Sequence, residues 1–296
     1  KSGVLLSNDL SHCDIIMGVK EVPIDMLIDK KVFCFFSHTI KKQSYNQNLL
    51  KTILNKNIQL VDYETLVDRK GKRLIGFGRY AGIVGCYNSF LTYGMKTKTF
   101  ELAYAHLLGD MVNMKKELLK IKLPNNLKII LTGSGRVANG VKEILCCLNI
   151  LNVSKDEFVS KKFTQPVYVQ LSTLDYNQRV DGSKSSKKDF YINPDKYTSC
   201  MGNYIDHADM LITGHFYAEH SPYILTKNHL SNTSKLKVVG DISCDIGGPI
   251  VSTIRPSTIS KPIYGYNISK GVEDDYFKDD CIAVMAVDNL PCSLPK

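Results

Sequence analysis

Residues 124–145, PNNLKIILTGSGRVANGVKEIL, decide how this chain is read. An apolar run, Leu127–Leu131, feeds Gly133, Gly135 and Ala138 in G-x-G-x-x-A spacing, and a stretch with helical period follows. Strand, glycine turn and helix in that order build a site for a dinucleotide pyrophosphate. Gly133 permits the tight turn, Gly135 lets the backbone approach the phosphates, and Ala138 keeps helix and sheet close. The helix N-terminus adds free N–H groups and the positive end of a dipole. A tight βα turn without a ligand would carry the same spacing, so the motif alone leaves both readings open. More than a hundred residues precede it, enough for a second unit upstream that would hold a substrate.

Working outward, 296 residues suffice for one large domain or two ordinary ones. The 44% hydrophobic and 23% charged content is that of a globular protein with a sizeable core. No apolar run approaches the length of a membrane span, and no secretory signal opens the chain. The chain begins at Lys1 in mid-pattern, so a preceding segment is expected. The net charge of +9 comes from scattered lysines (Lys41–Lys42, Lys115–Lys116, Lys161–Lys162, Lys184–Lys188) without an aromatic-interleaved stripe. A solvated lysine-rich surface that attracts anionic small molecules is therefore expected, not a nucleic-acid interface. Nine cysteines at irregular spacing, with no C-x-x-C, point to a reduced cytoplasmic protein without a disulfide framework or metal site.

Two segments echo each other. His12–Gly18 (HCDIIMG) and His207–Gly214 (HADMLITG) both read as short buried strands ending at a glycine. Val32–Ser37 (VFCFFS), Ile58–Tyr63 and Leu74–Phe77 read as further strands, and Tyr45–Leu54 as a helix. Tyr80–Gly85 opens small-residue helical packing, and Thr97–Lys120 is expected to be one long amphipathic connector. Downstream, Pro166–Leu171, Lys235–Ser243 and Cys281–Val287 read as strands, and the polar 173–203 region as a mobile surface excursion. The expected fold is α/β: two Rossmann-like domains with mostly parallel sheets and a cleft between them. Residues 1–95 would form the substrate domain, 96–287 the dinucleotide-binding domain, and 288–296 a segment returning to the cleft.

Chemistry-bearing residues cluster early. In Gly18-Val19-Lys20-Glu21-Val22-Pro23 a lysine and a glutamate sit just past a strand end, where a partly desolvated lysine could serve as a base. Glu21 and the more distant Glu64 could tune it; an incidental ion pair on a surface loop would look the same. His38 follows the aromatic strand VFCFFS and could exchange protons near neutral pH, or simply cap the strand end. Arg73 could pair with a phosphate or a carboxylate.

GVKEVP, FFSHTIKKQ, VDYETL, GKRLIGFGRYAGIVG, LTGSGRVANG, GDISCDIGGPI and DNLP, in this order, resemble the lysine-forming saccharopine dehydrogenases and the related lysine–ketoglutarate reductases. That family lies within the alanine dehydrogenase/transhydrogenase superfamily. The resemblance implies an NAD-dependent oxidoreductase, with NADP possible, that interconverts saccharopine with L-lysine and 2-oxoglutarate. It implies Lys20 as general base, His38 as second acid–base group, and Glu21 and Glu64 as modulators. Gln43 and Phe77 would fall on the substrate pocket. Arg73, the turn Gly133-Ser134-Gly135-Arg136-Val137 and the segment Asp288-Asn289-Leu290-Pro291 would contact the cofactor. Two departures stand out. The family's substrate-gripping arginine would lie before Lys1, and Gln170-Leu171-Ser172 lacks the acidic residue that usually holds the NAD ribose. Asp175 could reach that ribose. An alanine-dehydrogenase-like enzyme and an inactive nucleotide-binding homologue are the alternatives.

Overall fold

The computed structural model describes residues 5–41, 46–71, 73–215, 217 and 221–294. The chain divides into two compact units, 1–76 and 77–296.

The first unit is a three-stranded parallel sheet in the order β1-β2-β3, formed by β1 (Ile15–Met17), β2 (Val32–Phe35) and β3 (Gln59–Asp62). Helix α1 (Gln47–Asn55) connects β2 to β3 and turns Leu49 and Ile53 inward onto Phe33, Phe35, Leu27 and Ile58. In a parallel sheet every strand delivers its following loop to the same edge. The loops after β1, β2 and β3 are therefore neighbours. β1 departs from the buried strand expected at its position. It is an edge strand, with Ile15 and Met17 exposed. Leu74–Phe77 is not a strand either; Arg73 makes only an isolated bridge to Val67.

The second unit opens with α2 (Gly78–Thr97), α3 (Ala105–Leu108) and α4 (Met111–Leu118). The sheet begins at β4 (Lys128–Thr132). Then come α5 (Arg136–Cys147), β5 (Leu151–Asn152), α6 (Lys155–Ser160), β6 (Val167–Leu171), β7 (Asn177–Arg179), α7 (Lys187–Ile192), β8 (Tyr197–Ser199), α8 (Gly202–Ile205) and β9 (Met210–Thr213). It closes with α9 (Lys227–Asn232), β10 (Val238–Asp241), β11 (Ile263–Asn267), β12 (Val272–Asp274) and β13 (Cys281–Met285). The main sheet runs β12-β11-β13-β10-β9-β4-β6-β5. β5, β6, β4, β9, β10 and β13 are mutually parallel, and β11 and β12 add an antiparallel edge. β4 is buried on both faces. Its Ile129 and Leu131 join Ile83, Phe90, Met114 and Val141 on one side. Its Ile130 joins Phe158, Ile205 and Leu230 on the other. Burial on both faces explains why Ile129, Ile130 and Leu131 are apolar without alternation. From β4 the chain winds one way to β6, then crosses to β9 on the other flank. The carboxyl ends of β4 and β9 thus flank the crevice where open α/β sheets take their ligands.

Thr97–Lys120 is not one helix. Gly109 (φ +79°) and Asp110, whose carboxylate accepts the Asn113 N–H at 2.8 Å, end one short helix and start the next. The long helix is α2, buried without interruption from Gly82 to Gly94. It packs within the second unit on α5 through two glycines. A Cβ on Gly82 would stand 2.0 Å from the Val137 carbonyl oxygen, and one on Gly140 would stand 1.9 Å from that of Arg79. No side chain fits between these backbones. Gly140→Ala is expected to cost about 3 kcal/mol, the upper end of overpacking, measured as a shifted urea midpoint at unchanged slope.

Residues 173–203 are also ordered. β7 pairs antiparallel with β8. Arg179 pairs with Asp181 and Asp189, the Tyr197 hydroxyl donates to Asp189 at 2.8 Å, and Ser186 caps α7. Among the described residues no helix is long and apolar enough to cross a membrane.

Candidate functional site

The first cluster lies on the loops after β1, β2 and β3. Phe36 N–H donates to the Val19 carbonyl at 3.1 Å, so the Lys20 loop and the His38 loop are joined through the backbone. His38 has φ +54°, an uncommon conformation outside glycine that costs on the order of 1 kcal/mol. The loop is locked there by Ser37, whose hydroxyl donates to Asp62 Oδ2 at 2.5 Å. The Glu64 N–H in turn donates to Asp62 Oδ1 at 2.9 Å. Asp62 therefore ties the histidine loop to the glutamate loop.

Glu64 is almost wholly buried, its side chain 2% exposed. One oxygen meets His38 Nδ1 at 3.1 Å and the other meets an Arg73 guanidinium nitrogen at 3.2 Å. With Nδ1 donating to that carboxylate, Nε2 is left as the proton-accepting nitrogen, the arrangement by which a carboxylate orients a catalytic imidazole. Glu21 approaches the same Nε2 at 3.6 Å. An imidazolium formed at His38 would thus sit between two carboxylates. Phe36 stacks on the His38 ring at 6.3 Å, and the Arg73 guanidinium lies over the Phe36 ring at 5.8 Å. Lys20, Glu21, His38, Glu64 and Arg73 are therefore assembled on one sheet edge. Arg73, expected at the cofactor, stands beside Glu64. Phe77 precedes α2 in the second unit, and Gln43 lies outside the described residues.

The second site is a cavity of about 360 Å³ at the carboxyl ends of β4, β6 and β9. Gly133, Ser134, Gly135, Arg136 and Val137 form one wall, Ser172 and Thr173 another; Lys187 and Tyr191 of α7 and Gly214-His215 complete it. Gly133 has φ +87°, and a Cβ there would stand 2.3 Å from the Gly214 carbonyl oxygen. Gly135 is the N-cap of α5 in extended conformation, without a side-chain cap, and a Cβ there would meet nothing within 4 Å. Open space thus lies in front of a helix end that Gly135 leaves without a side-chain cap. This combination suits a pyrophosphate. Asp288–Pro291 follow β13 but do not line this cavity; Leu290 packs in the core.

The acidic residue that would grip a ribose is not in the cavity wall. Asp175 is held at Ser172, accepting its N–H and its hydroxyl at 2.7 Å each, and at Lys155 at 2.5 Å. Burial works against its charge, yet the Lys155 and Ser172 hydrogen bonds prevail and lower its pKa.

His215 lies two residues past β9 and belongs to none of the sequence motifs above. It is 8% exposed, and its Nδ1 lies 2.7 Å from the Thr132 hydroxyl. Burial pushes its pKa down to about 4, against the pull of Asp241. A depressed folded-state pKa means the unfolded chain binds the proton first. The associated stability is present above about pH 6.5 and is lost as pH falls toward 4. Over that window the protein is expected to lose on the order of 2 kcal/mol more than its His215→Asn variant. Urea melts at pH 7 and pH 4.5 on both proteins check this, and parallel losses would count against a buried neutral imidazole.

Residues 3–84 match the family described as alanine dehydrogenase/PNT, N-terminal domain. The chain is 30% identical over 334 residues to an alpha-aminoadipic semialdehyde synthase of Arabidopsis thaliana, covering 99% of this chain and 31% of that protein. It is 21% identical over 300 residues to the saccharopine dehydrogenase [NAD(+), L-lysine-forming] of Emericella nidulans, covering 95% of this chain and 69% of that one. The chain thus spans about a third of the length of the synthases it matches. Among solved structures an L-alanine dehydrogenase superposes with a TM-score of 0.55 at 14% identity, covering 95% of this chain and 66% of that chain. The chain has the alanine dehydrogenase fold and is a relative of the alpha-aminoadipic semialdehyde synthases and saccharopine dehydrogenases.

Proposed function

We propose that the chain is a nicotinamide-dependent oxidoreductase that interconverts saccharopine with L-lysine and 2-oxoglutarate. The observation that carries this reading is the acid–base edge of the first unit. It joins a lysine, a histidine oriented by a buried glutamate and a second glutamate, in a relative of saccharopine dehydrogenases. Oxidising a secondary amine requires loss of the N–H proton and of a hydride from the adjacent carbon, water addition to the resulting imine, and collapse of the carbinolamine. In this assignment Lys20 takes the amine proton, and His38, held by Glu64, moves the protons of the two later steps. Glu21, 3.6 Å from Nε2, is the second carboxylate beside that relay. The cofactor, bound by Gly133–Val137 in the cavity, supplies hydride transfer.

The cavity wall favours NADP(H) within this reading. Where a ribose-binding carboxylate would stand, the wall presents Ser172, Thr173 and Lys187, and Asp175 is committed to Ser172 and Lys155. Hydroxyls and a cation suit a 2′-phosphate. Initial rates with lysine and 2-oxoglutarate are expected to be faster with NADPH than with NADH, and neither cofactor should be oxidised with pyruvate and ammonia. Turnover with pyruvate and ammonia alone would replace this reading by an alanine-dehydrogenase-like one, and oxidation with neither pair would remove it.

A further inference from the structure

The cavity of the second unit holds one polar group that the assignments above leave unused. His215 Nε2 is buried and has no hydrogen-bond partner among the described residues. An orphaned donor or acceptor inside a protein costs free energy and calls for an explanation. The Thr132 hydroxyl is the neighbour that bears on its tautomer. The Thr132 hydroxyl oxygen accepts the Gly214 N–H at 3.4 Å and lies 2.7 Å from His215 Nδ1. A hydroxyl that accepts from the backbone keeps its own proton and a second lone pair, so the Thr132 hydroxyl can donate to Nδ1 or accept from it. The ring is kept neutral by burial; where Thr132 donates, the single ring proton is on Nε2. Nε2–H is then a donor without an acceptor, on a side chain lining the cavity beside the Gly133–Val137 turn.

The surroundings favour an acceptor oxygen as the missing partner. Arg136 and Lys187 line the same cavity, and Asp241, the carboxylate that acts on the imidazole, is buried and engaged by Thr213 and Thr253 at 2.6 Å each. β9, which positions His215, is hydrogen-bonded to β4, which positions the glycine turn, so both flank the same crevice. We propose that His215 is a dinucleotide-binding residue: its Nε2–H, oriented by Thr132, donates to an oxygen of the phosphate–ribose backbone of the bound cofactor. This rests on the cofactor reading given above and names a contact that the glycine motif does not supply. Thr132 is then a positioning residue, acting only through the ring.

Calorimetric titration of NADPH into the complete protein tests this without turnover. His215→Asn keeps a polar group near Thr132 but removes the donor at Nε2, and should weaken binding on the order of 10- to 100-fold, the worth of one hydrogen bond to a charged group. His215→Gln carries an amide N–H to about the Nε2 position and should recover most of that loss. Thermal melts at pH 7.5 confirm that each variant is folded. Binding within twofold of wild type in the Asn variant overturns the proposal. So does an equal loss in the Asn and Gln variants, which would mark the ring as packing only. If the wild-type protein itself binds neither NADPH nor NADH, the cofactor reading fails and His215 falls with it. Wild-type binding with indifferent His215 variants removes only the His215 contact.

Discussion

Lys20→Met should lower turnover of the complete protein with lysine and 2-oxoglutarate by about 10²–10⁴-fold, the range of one general acid–base group. NADPH affinity should stay near that of the unmodified protein, because Lys20 belongs to the acid–base edge and not to the residues lining the glycine-turn cavity. His38→Gln should fall in the same range and flatten the pH dependence of kcat. The two losses should combine to less than their product if both groups serve one proton relay. Glu64→Gln supplies a graded check. It keeps a group beside His38 Nδ1 but removes the carboxylate that lies 3.1 Å from it. It should cost less than His38→Gln, since an amide oxygen can still accept from Nδ1 and orient the ring. Near-normal turnover in both Lys20→Met and His38→Gln would place the base elsewhere and defeat the assignment.

What could be read from the sequence follows from where hydrophobic burial alone dictates structure. β4, the glycine turn and α5 were legible because a strand buried on both faces is an apolar run, and Gly133 at φ +87° requires its residue type. The long helix α2 was recognised only at its start, because it is buried on all sides from Gly82 to Gly94 and so lacks an amphipathic period. The amphipathic period of Thr97–Lys120 misled in the opposite direction. The Asp110 cap and Gly109 break it, and a face pattern continues across a break when both short helices pack on one core. The polar 173–203 region looked mobile because its order comes from side-chain pairing, such as Arg179 with Asp189 and Tyr197 with Asp189, and not from apolar patterning. In the candidate site, Lys20 and His38 could be placed by their position after a strand. Ser37 and Asp62 could not, because their role is the long-range hydrogen bond that fixes the histidine loop. His215 carries a usable signal, a histidine directly after the glycine that follows a buried strand.

Gly135→Val should abolish most dinucleotide binding while leaving the fold intact, and Gly133→Ala should do the reverse. The two glycines stand two residues apart but meet different constraints. Gly135 has φ −84° and ψ −162°, backbone that a valine adopts without strain, and its Cβ would meet nothing within 4 Å. The added side chain therefore projects into the open space before α5, where phosphates would approach the helix N–H groups. Excluding them removes at least two charge-assisted hydrogen bonds, so NADPH affinity should drop by on the order of 100-fold or more. The thermal midpoint should stay within about 2 °C, as for a substitution that touches no packed group. Gly133 has φ +87°, and its Cβ would press to 2.3 Å on the Gly214 carbonyl oxygen. Alanine there is strained by its backbone and by contact, so Gly133→Ala should cost about 3 kcal/mol or more in urea melts. Any binding it loses should track that instability. Calorimetry and melts on the two variants together separate a ligand surface from a merely tight turn. If folded Gly135→Val protein bound NADPH as tightly as the unmodified protein, the space before α5 would not be where the cofactor lies. The glycine turn would then owe its sequence to packing alone, with Gly133 the residue that the packing demands.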